Sequence, residues 1–310
     1  MEFAFMTEPQ TGGSYEQLLR LALWAEREGF AAFSRSDHYM DGDRSAHATD
    51  ALTTLAALGR DTSTIRLNVL VSPASFRHPA TLAKTAATID ELSDGRFEFG
   101  VGTGWMESEH EVFGYHFPEW GERFDRLTET LAYLRAALGR AEGGFSGEYY
   151  RMADLPILPL PTGDLPLIVG GSGPRRSPRL AGLYADEFNM FTRPVEEFAA
   201  RRDVMRRSAT EAGRDPDAIK LSLAGSPIIG ADRQEYRERL RNRASSRELS
   251  ETELEAILEA QAVPHGTSDQ AATQLAVFEK AGVSRFYINV YAPLDEIDLD
   301  EVSTVRRLLS

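Results

Sequence analysis

Ser36-Asp37-His38 follows the apolar run Phe30–Ser34 and sets a carboxylate beside an imidazole where a strand would end. Histidine gives or takes a proton near neutral pH, and a neighbouring carboxylate favours its charged form. A capping aspartate next to a surface histidine explains the same pair equally well. A second candidate, Gly170-Gly171-Ser172-Gly173-Pro174-Arg175-Arg176, follows the apolar run Leu165–Val169. Glycines let backbone N–H groups approach a ligand, and a helix starting there adds free donors and partial positive charge. Together these form a phosphate cradle. Arg175, Arg176 and Arg179 add three positive charges; a plain strand-to-helix turn with solvated arginines is the alternative. The turn is not a dinucleotide fingerprint, because Arg176 stands where a third glycine belongs.

Two further stretches could wall a ligand. Pro73 and Pro79 fix the path of Val71–Pro79 around Ser72, Ser75 and Arg77, as a wall for a planar ring or as a rigid loop. Gly100, Gly102 and Gly104 precede Trp105, so a flat molecule could lie on backbone with Trp105 as an aromatic wall, unless Trp105 is core. Glu107, Glu109, His110, Glu111 and His116 cluster beyond, but the two histidines stand six residues apart. That spacing does not place two ligands on one helical face, and no metal is expected. No Gly-x-Ser-x-Gly elbow occurs, and with zero cysteines there is no thiolate or disulfide.

The elements that would position these residues alternate in type. Glu2–Met6, Phe30–Ser34, Ile65–Val71, Arg96–Val101, Leu165–Val169, Ala185–Phe191, Ile219–Ala224 and Arg285–Val290 read as strands. Between them lie helical patterns. One opens on Ser14–Gln17, which has capping-box form, and buries Leu18, Leu21, Ala22 and Ala25. Another opens at His78-Pro79, and Phe124, Leu127, Leu131, Leu134 and Leu138 stripe a long one. Thr267–Gln270 is a second capping box. Eight strand–helix beats predict a closed (β/α)8 TIM barrel, with an open doubly wound sheet as the competing architecture. The chain reads as one domain, residues 1–310, with insertions near 102–121, 143–160 and 232–262. The last is highly charged and helical in pattern. It reads first as a solvated insertion and second as an active-site lid, with Glu235 and Arg239 able to pair one turn apart.

Composition bounds the class. The 310 residues are 42% hydrophobic and 26% charged, with a net charge of −14. That balance argues against nucleic acid and anionic membranes as partners. MEFAFMTEPQ has no signal-peptide form and no apolar run spans a bilayer, so a cytoplasmic protein is expected.

Taken as a set, "VSPASFRHPATLAKTAATIDELSDGRFEFGVGTGWMESEH", "SDHYM", "LIVGGSGPRRSPRLAGLYADEFN" and "GTSDQAATQLAVFEKAGVSRFYINV" resemble the luciferase-like monooxygenase superfamily. The likeness is strongest to its deazaflavin (coenzyme F420)-dependent branch and covers nearly the whole chain. It implies a bacterial-luciferase-like (β/α)8 barrel, often homodimeric, with a flavin or deazaflavin at the C-terminal mouth and hydride moving at its central ring. By that resemblance Asp37 touches the deazaflavin, His38 handles the proton, and Ser72 borders the ring. A cis non-proline peptide would lie near Val69-Leu70, and Ser108 falls at a cofactor-binding asparagine. Gly170, Gly171, Ser172, Gly173, Pro174 and Arg175 meet the phosphate end, and Gly102 and Gly104 lie along the ring. The sugar-phosphate dehydrogenases keep a catalytic glutamate where this chain has Trp105, so no carboxylate stands there to pair with His38; Glu107 and Glu109 are the candidate substitutes, and nothing in the sequence selects either.

The expected activity is an F420-dependent oxidoreductase acting on a small organic substrate. An FMN-dependent monooxygenase using reduced flavin and O2, with a reductase partner, is the alternative, and a ligand-binding barrel without catalysis the third. Trp105, Phe113 and other loop aromatics lean toward an apolar or aromatic substrate.

Overall fold

The computed structural model describes residues 1–40, 47–139, 144–153 and 158–309. Within the 143–160 insertion, residues 143 and 154–157 lie outside the described residues. β1 (Glu2–Thr7), β2 (Ala32–Arg35), β3 (Arg66–Pro73) and β4 (Phe97–Gly102) alternate with α1 (Tyr15–Arg27), α2 (Ala51–Asp61) and α3 (Pro79–Leu92). Then come α4 (Glu107–Phe113), α5 (Trp120–Leu138) and an antiparallel hairpin, β5 (Phe145–Ser146) with β6 (Arg151–Met152). The alternation resumes with β7 (Leu167–Gly170), α6 (Arg176–Tyr184), β8 (Glu187–Phe191), α7 (Val195–Glu211) and β9 (Lys220–Gly225). β10 (Ile228–Gly230), α8 (Arg233–Ser245), α9 (Glu251–Ala260) and β11 (His265–Thr267) form the charged insertion, followed by α10 (Ser268–Lys280), β12 (Val283–Val290) and α11 (Leu299–Leu309).

The principal sheet closes on itself in the order β1-β12-β9-β8-β7-β4-β3-β2. Each neighbouring pair is parallel. This is the expected (β/α)8 barrel; the doubly wound alternative is excluded by closure. Both capping boxes form: Ser14 N donates to Gln17 Oε1 at 2.7 Å, and Thr267 N to Gln270 Oε1 at 2.8 Å.

Strand alternation sorts the side chains. Leu67, Val69, Phe97, Phe99, Phe188 and Phe286 point outward into the core under the helices. A smaller apolar cluster, including Ala4, Met6, Leu70, Ile168 and Tyr287, fills the barrel interior. Near the strands' N-terminal ends the interior is ionic. Arg285 Nη1 donates to Glu98 Oε2 at 2.6 Å and to Glu187 Oε2 at 2.9 Å, and its Nε to Glu2 Oε2 at 3.0 Å. Arg66 Nε reaches Glu98 Oε1 at 2.5 Å, and Tyr287 OH donates to Glu187 Oε1 at 2.9 Å. Burial opposes ionisation of both carboxylates. At Glu98 the charges of Arg285 and Arg66 more than offset it and lower the pKa. At Glu187 burial prevails and raises it, the Arg285 charge opposing and the Glu98 charge adding to the rise.

One valine shapes the opposite end. β3 and β4 slip register between Val69 and Ser72, and the Leu70–Val71 peptide is cis, one bond beyond the expected Val69-Leu70. Val69 is sealed in the outer core and cannot meet a ligand; Val71 is the partly exposed residue. A Cβ on Gly100 would lie 2.9 Å from Val71 Cγ1, one on Gly102 2.7 Å from Cγ2, and one on Gly170 2.7 Å from Cγ1. These three glycines thus make room for Val71. A Cβ on Gly100 would also lie 2.2 Å from Val69 O, an atom that cannot swing aside. Gly100→Ala is expected to cost about 1–3 kcal/mol through overpacking, read from the midpoint of urea unfolding.

Candidate functional site

The C-terminal ends of β2 and β3 bring two residues singled out from the sequence, Asp37 and Ser72, together behind one arginine. Arg77 Nη2 donates to Asp37 Oδ1 at 3.2 Å and to Asp50 Oδ2 at 2.6 Å; its Nη1 also binds Asp37 Oδ2. Ser72 Oγ donates to Asp37 Oδ2 at 2.6 Å. The Asp37 side chain is 0% exposed and Ser72 is fully buried. Their side-chain oxygens therefore serve one another and Arg77, and the expected contact of these two side chains with a ring is closed off in this arrangement. Asp50 escaped sequence reading because only folding places α2's N-cap beside the loop after β3 that carries Arg77.

Of the two candidate partners for His38, Glu107 and Glu109, the structure brings Glu109 to it. Glu109, on the buried face of α4, approaches His38 Nδ1 with Oε2 at 2.8 Å. Its Oε1 accepts from Tyr39 N at 2.6 Å and Met40 N at 3.3 Å. A carboxylate bonded this way accepts, so Nδ1 carries the proton and Nε2 is left without a protein partner among the described residues. Glu109 is sealed, while the His38 side chain keeps 13% exposure. Burial alone would lower the His38 pKa; the Glu109 hydrogen bond and charge, helped by Glu8 and Asp37, outweigh it and raise the pKa. Trp105 stands over this imidazole edge-on, with ring centroids 5.7 Å apart, and is itself 67% exposed.

Glu8, just beyond β1, was missed. It is buried in the mouth and held by neutral donors: Gln10 Nε2 at 2.9 Å, Asn289 Nδ2 at 2.9 Å and the Ser36 hydroxyl. A signal existed, since Asn289 follows Arg285 and Tyr287 at period two on the inward face of β12.

The glycine turn is partly open. Gly170, Gly171, Ser172 and Gly173 are half-buried, and Pro174, Arg175, Arg176 and Arg179 are exposed. Gly171 N is spent on Asn189 O at 3.1 Å, and a Cβ on Gly171 would meet Ser177 Oγ at 2.5 Å. At Gly173 an added Cβ would meet only Ser177 Oγ at an ordinary 3.6 Å. No side chain caps α6, whose N-cap is Arg175, in contrast to Asp50 on α2 and Ser250 on α9. The first-turn donors of α6 therefore lack a side-chain acceptor.

The other selected residues disperse. Gly104 holds a φ of +77°, and a Cβ there would meet Ser75 Oγ at 2.7 Å, so this glycine serves the turn. Leu70 points into the barrel, and Gly102 is buried against Val71. Ser108 is exposed on α4, and Phe113 packs edge-on against Tyr39 at 5.5 Å. His110 is a core residue: Nδ1 donates to Met106 O at 2.8 Å and Nε2 accepts from Ser75 Oγ at 2.7 Å. Among the described residues no group of three or more His, Cys, Asp or Glu is placed to hold a metal ion.

The charged insertion is more than a solvated face. Tyr236, Leu240, Leu254 and Leu258 give it a core of its own, and Arg239 pairs with Glu235 at 2.6 Å. Its α9 also lines a cavity of about 540 Å³ at the mouth, beside the ends of β8, β9 and β12.

Barrel, rim-facing imidazole and open glycine turn define a (β/α)8 protein with its candidate site at the C-terminal mouth. Residues 1–286 match the family model described as luciferase-like monooxygenase, and the chain belongs to that family. An F420-dependent glucose-6-phosphate dehydrogenase of Nocardia farcinica is 31% identical over 249 residues, 76% of this chain and 73% of that protein. An F420-dependent hydroxymycolic acid dehydrogenase of Mycobacterium tuberculosis is 31% identical over 220 residues, 70% of this chain and 60% of that protein. Among solved structures, an F420-dependent secondary alcohol dehydrogenase in complex with an F420–acetone adduct superposes with a TM-score of 0.80 at 20% identity. It is matched over 100% of this chain and 99% of that one, a likeness of fold. No helix among the described residues is long and apolar enough to cross a membrane.

Proposed function

We propose that this chain is an F420-dependent oxidoreductase acting on a small organic substrate. The observation that carries the reading is the His38–Glu109 pair: a proton-handling group at the rim of a barrel whose relatives are named F420-dependent dehydrogenases. When bound, the coenzyme supplies hydride transfer at its ring. His38 holds or delivers the accompanying proton from Nε2, Glu109 fixes the ring through Nδ1, and Trp105 shields that edge from water. The turn fits the coenzyme's anionic end. It offers an uncapped helix start, a backbone unobstructed at Gly173, and the exposed charges of Arg175, Arg176 and Arg179. Val71 and its ring of glycines form the floor, with Gly102 on one side and Gly170 on the other.

Trp105 in place of a glutamate turns the reading away from sugar phosphates. A cytoplasmic homodimer, one barrel domain per chain and a reductase that recycles the coenzyme complete it; light scattering of the pure protein tests the dimer. The cofactor test is titration of the pure protein with F420 and with FMN, followed by fluorescence. F420 is expected to bind at least about tenfold more tightly, a difference of about 1.4 kcal/mol. Tight FMN binding without F420 binding overturns the proposal in favour of the flavin monooxygenase.

A further inference from the structure

The cavity under α9 is electrically out of keeping with the rest of the molecule. Arg193, at the end of β8, is one wall; its side chain is 11% exposed, and its Nη1 donates to Ser172 O at 3.3 Å. Arg201 lies behind it, with Nε on Ser172 O at 3.0 Å. Both share one half-exposed carboxylate, Glu197, at 3.7 and 3.2 Å. Arg247 stands on the insertion between α8 and α9 and also lines the cavity. Among the described residues it has no ion-pair partner. Burial and the Arg201 charge lower the Arg193 pKa, and burial and the Arg243 charge lower that of Arg247. Arg193 and Arg247 therefore face one cavity whose lining holds a single carboxylate, Glu197, already engaged by Arg193 and Arg201, in a chain of net charge −14. The rest of the wall is mixed: Phe191, Ile257, Leu258 and Val263 give it an apolar side, while Thr192, Ser226, Gln261 and Asn289 are polar.

We propose that this cavity holds an organic anion with an apolar body, its carboxylate or phosphate head between Arg193 and Arg247, and that this molecule is the substrate. The assignment as substrate rests on the oxidoreductase reading. The chemistry separates it from the coenzyme's own tail. A tail of repeated carboxylates has nothing to gain from Ile257, Leu258 and Phe191, whereas an alkyl or aromatic body buries apolar surface there. Arg175, Arg176 and Arg179 do not line this cavity and remain free for the tail. About 540 Å³ suits a molecule of small-drug size. Arg247 is the specificity-determining residue, because the insertion supplies it and no carboxylate among the described residues pairs with it.

Calorimetry on the full chain tests this with octanoate, octyl phosphate and octanol as probes, and with F420 in parallel. At least one of the two anions is expected to bind about tenfold or more tightly than octanol, the range of a charge-assisted hydrogen bond. Arg247→Gln is expected to remove that preference, Arg247→Lys to restore part of it, and F420 affinity to stay unchanged in both. Equal binding of octanol, or anion binding that survives Arg247→Gln, overturns the proposal. Weaker F420 binding in Arg247→Gln overturns it too, by giving the cavity to the coenzyme's tail. Anion binding as expected in a protein that does not bind F420 upholds the anion site and overturns only the coenzyme reading.

Discussion

Turnover in a His38→Ala variant is expected to fall by about 10²–10⁴-fold, the usual contribution of a positioned acid–base group, with F420 affinity retained. The decisive companion is Glu109→Gln. Glutamine keeps the size of the side chain but removes the negative charge that holds the His38 pKa up against burial. The imidazole should titrate at lower pH by NMR, and the limb of the pH–rate profile that it governs should move the same way. Linkage gives an independent check. His38 is protonated to higher pH in the folded protein than in the unfolded chain, whose imidazole titrates near ~6.5. Its contribution to stability is therefore complete below about pH 6.5 and disappears as pH rises through the raised folded value. In Glu109→Gln that pH-dependent increment should vanish from the unfolding midpoints. An unmoved His38 titration in Glu109→Gln would sink the pairing. Unchanged turnover in His38→Ala would remove His38 from the chemistry.

Arg285→Met is expected to be the most destabilising single substitution, at about 3–5 kcal/mol, the cost of breaking a buried ion pair from one side. Methionine fills much of the volume but leaves Glu98 and Glu187 facing each other inside the barrel without their shared cation. The pH dependence is diagnostic. In the wild type, Glu98 stays ionised to lower pH than in the unfolded chain, and stabilises the fold until acid protonates it. In the variant both carboxylates should prefer the neutral form when folded. A group whose folded pKa is raised regains stability as pH falls, so the deficit should shrink under acid where the wild type weakens. Denaturant midpoints from pH 4 to pH 8 measure this, and a deficit that is flat across the range would mean that the charges are not its source.

Much of the barrel is legible in the sequence because helix caps, stop glycines and apolar periods are local. Ser14–Gln17, His78-Pro79 and Thr267–Gln270 each mark a real helix start. Polar residues at period two, such as Arg285, Tyr287 and Asn289, were also visible, yet pattern alone cannot say that a barrel's interior is the wet side. The site was harder, since its contacts join distant segments. Glu109 lies 71 residues from His38 and Arg77 lies 40 from Asp37, and no spacing rule connects them. The cis bond, expected near Val69-Leu70 from the resemblance alone, lies at Leu70–Val71 within the register slip between Val69 and Ser72. The glycines at 100, 102 and 170 looked like ligand-facing backbone, and a single bulky neighbour, Val71, accounts for them.

The Arg285–Glu98–Glu187 layer and the apolar layer above it fill the barrel's interior, which leaves a cup at the rim rather than a tube. With one end stoppered, everything that enters must leave by the rim it came through. If the coenzyme lies on the Val71 floor, as proposed, it would load before the substrate and leave after it; product-inhibition kinetics check that order.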